Sequence, residues 1–308
     1  MTVNDSTSAL LLKGLDGSNP LGFLAAVGTL QVVTEANLSA NWRVSWKEQG
    51  GHWSPVLLGD VALTADSLIE LLMPALIEKK DAFEFADDLT INCEEFRKVA
   101  QSAFNAADLR DRHYADFIAA FGCDILPISA KDPRIQDTAL RTMSGAGHQH
   151  FIGSMRELVE STNSDHLRAS LFEPWQYSDS KPSLRWDPLD DRRYALRWEA
   201  PSGDPVRTMR GANRLAVEAL PLFPTAPRER HLHTTGFSQR RGEGLLFSWP
   251  IWEGTLSIEI VRSLISFPEL QKPLPDRKSL LALGVVEIYR SQRITRDKYR
   301  NFTPAVPV

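Results

Sequence analysis

Cysteine is nearly absent from this chain. Cys93 and Cys123 are the two among 308 residues, too few and too isolated for a disulfide framework or a zinc site. They read as free thiols in a reducing compartment. Long apolar runs are missing too: the longest, residues 20–33, falls short of the ~20 residues a membrane span needs and contains Gln31. The opening MTVNDSTS has neither a basic region nor an adjacent apolar core, so no secretory signal is expected and the expected compartment is the cytoplasm, away from membranes. The chain holds no GxSxG, no HExxH and no His–Asp or Cys–His pairing of catalytic type, and its Gly-rich turn at 14–20 lacks the Lys-Ser/Thr of a phosphate loop. No enzyme, no cofactor and no metal are therefore expected. Lysine is scarce in one region: residues 185–300 carry 17 Arg but 3 Lys.

What is present is the make-up of a globular protein, 43% apolar and 24% charged, with enough apolar material for a real core. The net charge of −4 hides an asymmetry. Residues 185–300 hold 20 Lys+Arg against 14 Asp+Glu, a net +6, while the remainder holds 15 against 25, a net −10. An acidic first part and a basic second part follow, and only the second is a plausible electrostatic footprint for phosphate. The polar, Pro-containing stretch 173–182 predicts a linker between an acidic, mainly helical domain (1–172) and a basic, Arg/Trp-rich α+β domain (183–308).

Local patterns give an α+β fold, helix-rich in its N-terminal part and mixed β-hairpin and helix in its C-terminal part. Asn19 as cap and Pro20 at the first helical position predict a helix over 20–36, apolar nearly all round and so buried. Strands are predicted at 42–46 and 53–58 around Gly50-Gly51. Helices follow at 65–78 behind Thr64, 93–104 behind Asn92, 110–121, 151–161 and 165–172. Beyond the linker come a hairpin of 184–186 with 194–198, a helix over 208–220, strands at 242–249 and 285–294, and short helices at 256–264 and 278–283.

The stretch 183–224 holds the chemistry of interest. Seven arginines lie between Arg185 and Arg214, interleaved with Trp186, Tyr194 and Trp198. Arginine offers a planar, permanently charged fork for phosphate, and flat rings are platforms for unpaired bases. Two groups of candidate nucleic-acid contacts result. Arg207, Arg210 and Arg214 recur at helical spacing beside the positive end of a helix, and Arg192, Arg193 and Arg197 accompany the three rings. Ordinary structure explains the same residues: Asp187, Asp190, Asp191, Glu199 and Asp204 can neutralise the arginines, the Arg207–Arg214 group can pair with Glu218 or distant carboxylates, and paired Trp residues are common hairpin core. A remoter alternative gathers His148, His150, His231 and His233 with Asp187, Asp190 or Asp191 into a divalent-metal hydrolase site; it requires distant segments to converge.

Four strings carry a resemblance: GLDGSNPLGFLAAVG (14–28), WDPLDDRRYALRW (186–198), MRGANRLAVEALPLFP (209–224) and WPIW (249–252). They resemble a small family of type I-G (formerly I-U) CRISPR-associated proteins, some of which occur as extensions of the CRISPR helicase–nuclease. The resemblance spans most of the chain and carries over no catalytic residue. It implies a part in antiviral defence, in the RNA-guided targeting of foreign DNA. The expected function is that of a non-catalytic subunit within or beside a Cascade-type effector complex, in contact with guide RNA or target DNA. The alternative is a protein–protein adaptor linking effector and helicase–nuclease.

Overall fold

A computed structural model describes residues 8–108, 111–143, 150–190, 207–296 and 299–308. Strand β1 (Ser8–Leu11) enters a turn held by Asp16, whose carboxylate accepts Ser18 N at 2.9 Å, Ser18 Oγ at 2.6 Å and Trp53 N at 3.2 Å. Helix α1 (Pro20–Ala36) follows. Asn19 Oδ1 accepts Leu21 N at 2.8 Å and Gly22 N at 3.4 Å, satisfying first-turn donors that the helix itself cannot. Residues 20–33 of α1 are all buried, as its apolar circumference requires.

β2 (Arg43–Gln49) and β3 (His52–Gly59) form a hairpin whose turn, Gly50-Gly51, has φ of 61° and 88°, a left-handed backbone that favours glycine. β1 pairs with β3, so the first sheet is antiparallel in the order β1-β3-β2. Three helices come next: α2 (Ala65–Glu78), capped by Thr64, α3 (Cys93–Ala106), capped by Asn92, and α4 (His113–Phe121). A hairpin of β4 (Gly122–Ser129) and β5 (Asp132–Asp137) precedes α5 (Phe151–Ser161) and α6 (Ser164–Phe172).

The second part contains α7 (Arg210–Val217), the hairpin β6 (Thr225–Arg228) and β7 (His231–Thr234), then β8 (Phe237–Arg240) and β9 (Gly244–Trp252). α8 (Ile258–Ile265) and α9 (Arg277–Ala282) lead to the long β10 (Val285–Arg296), β11 (Tyr299–Phe302) and β12 (Val306–Pro307). The second sheet is antiparallel in the order β11-β10-β9-β8, with β12 also paired to β10. The fold is α+β, with helices concentrated early and strands late. Among the described residues no helix is long and apolar enough to cross a membrane.

The core does not divide at residues 173–182, where a linker between two domains is predicted. One cluster of buried side chains runs from Leu12 to Phe302. The WPIW strand reaches back to the first helix and first sheet: Trp249 lies tilted against Phe23 at 5.8 Å, and Trp252 meets Trp46 edge-on at 5.5 Å. Trp249 Nε1 donates to Gly17 O at 2.7 Å and Trp252 Nε1 to Val44 O at 3.2 Å. Nor is 173–182 loose. Trp175 Nε1 donates to Ser170 O at 2.9 Å, Tyr177 OH to Asp187 at 3.0 Å, and Asp179 exchanges backbone hydrogen bonds with Thr208. Its two aromatic residues anchor a stretch whose polar neighbours read as a linker.

Gly28 lets α1 approach α7. A Cβ there would run into the carbonyl oxygen of Leu215 and sit 3.2 Å from Ala219 N, both backbone atoms that cannot swing aside. Gly28→Ala is expected to lower stability by about 1–3 kcal/mol through overpacking, whereas Leu38→Ala, at an exposed side chain, should change it by less than about 0.5 kcal/mol. Urea unfolding midpoints of the two variants check the contrast.

Candidate nucleic-acid interface

Three arginines near the start of α7 are predicted to share one face, and the fold separates them. Arg207 precedes the helix and is exposed, its nearest polar partner being Ser178 O at 3.5 Å. Arg210, at the first helical position, donates to Lys181 O at 2.6 Å and Ser161 O at 3.3 Å. Arg214 is 1% exposed and donates to Glu218 Oε1 at 2.6 Å and Leu76 O at 2.8 Å. Arg214 therefore faces the interior and not phosphate. The positive end of α7 is also filled from within: Asp179 Oδ2 accepts Arg210 N at 2.8 Å, so the anion expected there is the chain's own carboxylate. The helix is shorter than the predicted 208–220. Thr208 is held in a bridge to Asp179, and Pro221 enforces a 3-10 turn, Leu220–Leu222.

Around Arg214 lies a buried charge network. Glu218, 0% exposed, also accepts Lys79 Nζ at 2.9 Å, and Lys79 in turn contacts Glu35. Burial alone would push the Glu218 carboxyl up, but Lys79 and Arg214 outweigh it and hold the group at about 2, against an ordinary 4.5. Burial also pulls Lys79 down, and Glu218 and Glu35 more than reverse that, leaving it raised. The adjacent His113 is lowered, chiefly by burial.

Trp186 is fully buried, its Nε1 donating to Leu140 O at 2.8 Å and its ring meeting Phe151 edge-on. It is core and not a base-stacking platform. Residues 184–186 are not a strand: Leu184 N donates to Asn213 Oδ1 at 2.9 Å and Leu184 O accepts Thr142 Oγ1, which fixes an irregular segment. Arg192, Arg193, Tyr194, Arg197 and Trp198 lie outside the described residues, as do His148 and Asp191 of the metal-site alternative. Asp187 is buried and accepts from Asn19, Tyr177 and Leu189 N, while His231 and His233 sit on β7 in the β6–β7 hairpin. Burial pushes the Asp187 carboxyl up against those hydrogen bonds. Among the described residues no group of three His, Cys, Asp or Glu is placed to hold a metal.

A second set of arginines belongs to the second sheet: Arg290 and Arg293 within the predicted strand 285–294, and Arg300 beyond it, on β11. Arg290 donates to Ser248 Oγ at 2.8 Å, Leu270 O at 3.1 Å and Lys272 O at 2.8 Å, closing the end of the 3-10 turn Pro268–Gln271. Arg293 Nη1 donates to Ala139 O at 2.7 Å and, at 3.4 Å, to Arg141 O; Arg300 Nη1 reaches that same oxygen at 3.4 Å. Burial first, then the neighbouring Arg300, pulls Arg293 down to about 10. Arg141 itself is paired with Asp88 and Asp137. For Arg293 alone the sequence signal is period-2 alternation, which puts it two residues from the buried Ser291 on one face of β10.

No family model matches this chain, and neither a curated protein nor a solved structure matches it.

The buried network makes stability pH-dependent. A carboxyl lowered by folding contributes stability that is complete above the unfolded value of 4.5 and is lost as pH falls towards 2, on the order of 3 kcal/mol for Glu218. His113, lowered in the fold, favours the native state fully above its ordinary 6.5 and loses that advantage below it. Urea unfolding from pH 8 to pH 3 should show stability falling below pH 6.5 and again below pH 4.5, offset in part by Asp187, whose raised carboxyl favours the fold as pH falls. Glu218→Gln should cost about 3–5 kcal/mol at pH 7, because buried Arg214 loses its counter-charge and Lys79 one of two, and should flatten the decline below pH 4.5.

Proposed function

We propose that this chain is a non-catalytic subunit of a type I-G CRISPR interference system, contacting guide RNA or target DNA within or beside the effector complex. Kinship with that family is supported by how its four strings meet in space. Trp249 of WPIW donates to Gly17 of the first string, and Asn19 of the first donates to Asp187 of the second at 3.1 Å. Gly28 of the first lies against Leu215 of the third. Strings scattered over more than 230 residues are one physical unit around the entry to α1, as expected of a shared scaffold.

Contact with nucleic acid rests on one observation. The 3-10 turn Pro188–Asp190 packs on β11, the strand that carries Arg300. Residues 191–206, with Arg192, Arg193 and Arg197, follow that turn directly in sequence. The turn from which the basic stretch continues thus lies on the strand of Arg300, and neither Arg293 nor Arg300 has a carboxylate within ion-pair distance among the described residues. Positive charge of the kind that Arg293 and Arg300 present is what a phosphate backbone is attracted by, and base pairing with the guide would leave sequence reading to the RNA.

Arg192, Arg193 and Arg197 changed together to Ala should flatten the slope of log affinity against log salt for a single-stranded ligand by roughly 2, about 0.7 for each lost contact. Fluorescence anisotropy over a salt series measures it. A folded triple variant with the wild-type slope overturns these contacts. One that keeps RNA and DNA binding yet no longer co-purifies with the effector supports the adaptor role instead.

A further inference from the structure

We infer that Arg293 and Arg300, set against the buried segment 138–143, form a binding site for a phosphoryl group. The sheet register brings the two arginines together: Arg293 opposes Phe302 across β10 and β11, and Arg300 opposes Thr295. Both therefore project from the face that carries the buried Phe302. Their Nη1 atoms reach the same oxygen, Arg141 O, so the two guanidinium groups lie within two hydrogen-bond lengths of each other.

One carboxylate, Asp137, acts on Arg293 from a distance, but it and Asp88 are ion-paired with Arg141, itself 5% exposed. Arg293 and Arg300 make no ion pair among the described residues, and Arg293 Nε is buried without a hydrogen-bond partner. A half-buried pair of like charges is costly unless an anion joins it, and Arg293 is pulled below the usual arginine value by burial first and by the neighbouring Arg300 second. Arg290 on the same strand differs: three acceptors from the chain absorb its donors, so it closes a turn and offers no vacancy. Beyond the donors that Ala139 O and Arg141 O take, two neighbouring planar forks suit a tetrahedral group with several acceptor oxygens and up to two negative charges. As a contact to a nucleic-acid backbone the site rests on the function proposed above; as a site for the phosphoryl group itself it does not.

The test titrates the purified full-length protein with inorganic phosphate by calorimetry, against chloride at matched ionic strength. One equivalent should bind, and Arg300→Gln should weaken binding by at least ~10-fold, the loss of one charge-assisted contact. Arg300 makes a single long bond to Arg141 O and repels Arg293, so its removal should not lower the unfolding midpoint. Arg293→Lys, which keeps charge but not the fork, should weaken phosphate by a similar factor. A single-stranded oligonucleotide that displaces phosphate, and itself binds Arg300→Gln more weakly, identifies the group as backbone phosphate. Phosphate bound in an Arg300-dependent way but not displaced upholds the site as one for a free oxyanion and counts against the nucleic-acid function. No phosphate binding, or equal binding to wild type and Arg300→Gln, overturns the site. An oligonucleotide that binds both proteins alike would then leave the proposed function standing without it.

Discussion

Helix α1 is apolar around its circumference, and a helix of that kind is stable in water only when other parts of the chain cover every side. The first sheet packs on it through Trp46, whose ring stacks 5.9 Å from Phe23. α2 and α8 also lie against it, and α7 approaches at Gly28. β9 sends Trp249 to the carbonyl of Gly17, at the turn that starts the helix. The demand for cover explains the single core. Neither half of the sequence can complete the burial of α1 alone, so the acidic and basic parts, distinct in charge, are not distinct in packing.

Charge follows the same constraint. Placing Arg214 and Glu218 inside removes both from water, a cost that their mutual attraction offsets only with good geometry and further hydrogen bonds. The fold supplies these. Arg214 also takes the carbonyl of Leu76 near the end of α2, one of the acceptors a helix C-terminus leaves open, and Glu218 takes Lys79 as well. The network ties α2 to α7 across the helical layer. Arginine serves this role through its fork, which meets a carboxylate and a carbonyl at once. Arginines of residues 185–300 thus serve at least two ends, interior fastening at Arg214 and Arg290, and positive charge without an ion-pair partner among the described residues at Arg293 and Arg300.

Much of the fold was legible in local chemistry. Asn19 and Pro20, Thr64, Asn92 and the Gly50-Gly51 turn mark element ends because each satisfies a backbone need on the spot. The α+β class follows from the order of those elements. The site was less legible, for a physical reason. Arg207, Arg210 and Arg214 keep helical spacing, yet spacing tells nothing about what covers a face. That is decided by Asp179, Ser161 and Leu76, residues far away in sequence. Trp186 could have been platform or core, and Leu140 and Phe151 settle it as core. The Arg293–Arg300 pair depends on the register of β10 with β11 and on a segment more than 150 residues upstream, neither of which a strand pattern contains.

The hydrogen bond from Trp249 to Gly17 joins residues 232 positions apart. On a ribosome adding about 5–20 residues per second, the partner emerges roughly ten to fifty seconds after the turn it closes. Throughout that interval α1 has left the exit tunnel without β9 and, for nearly as long, without α7. An uncovered helix of this composition is the kind of surface that holding chaperones bind. Non-local closure of this sort also slows folding, since the loop must be brought together before any contact rewards it. The geometry that unites the two parts of the molecule thus delays its first helix until its last third has been made.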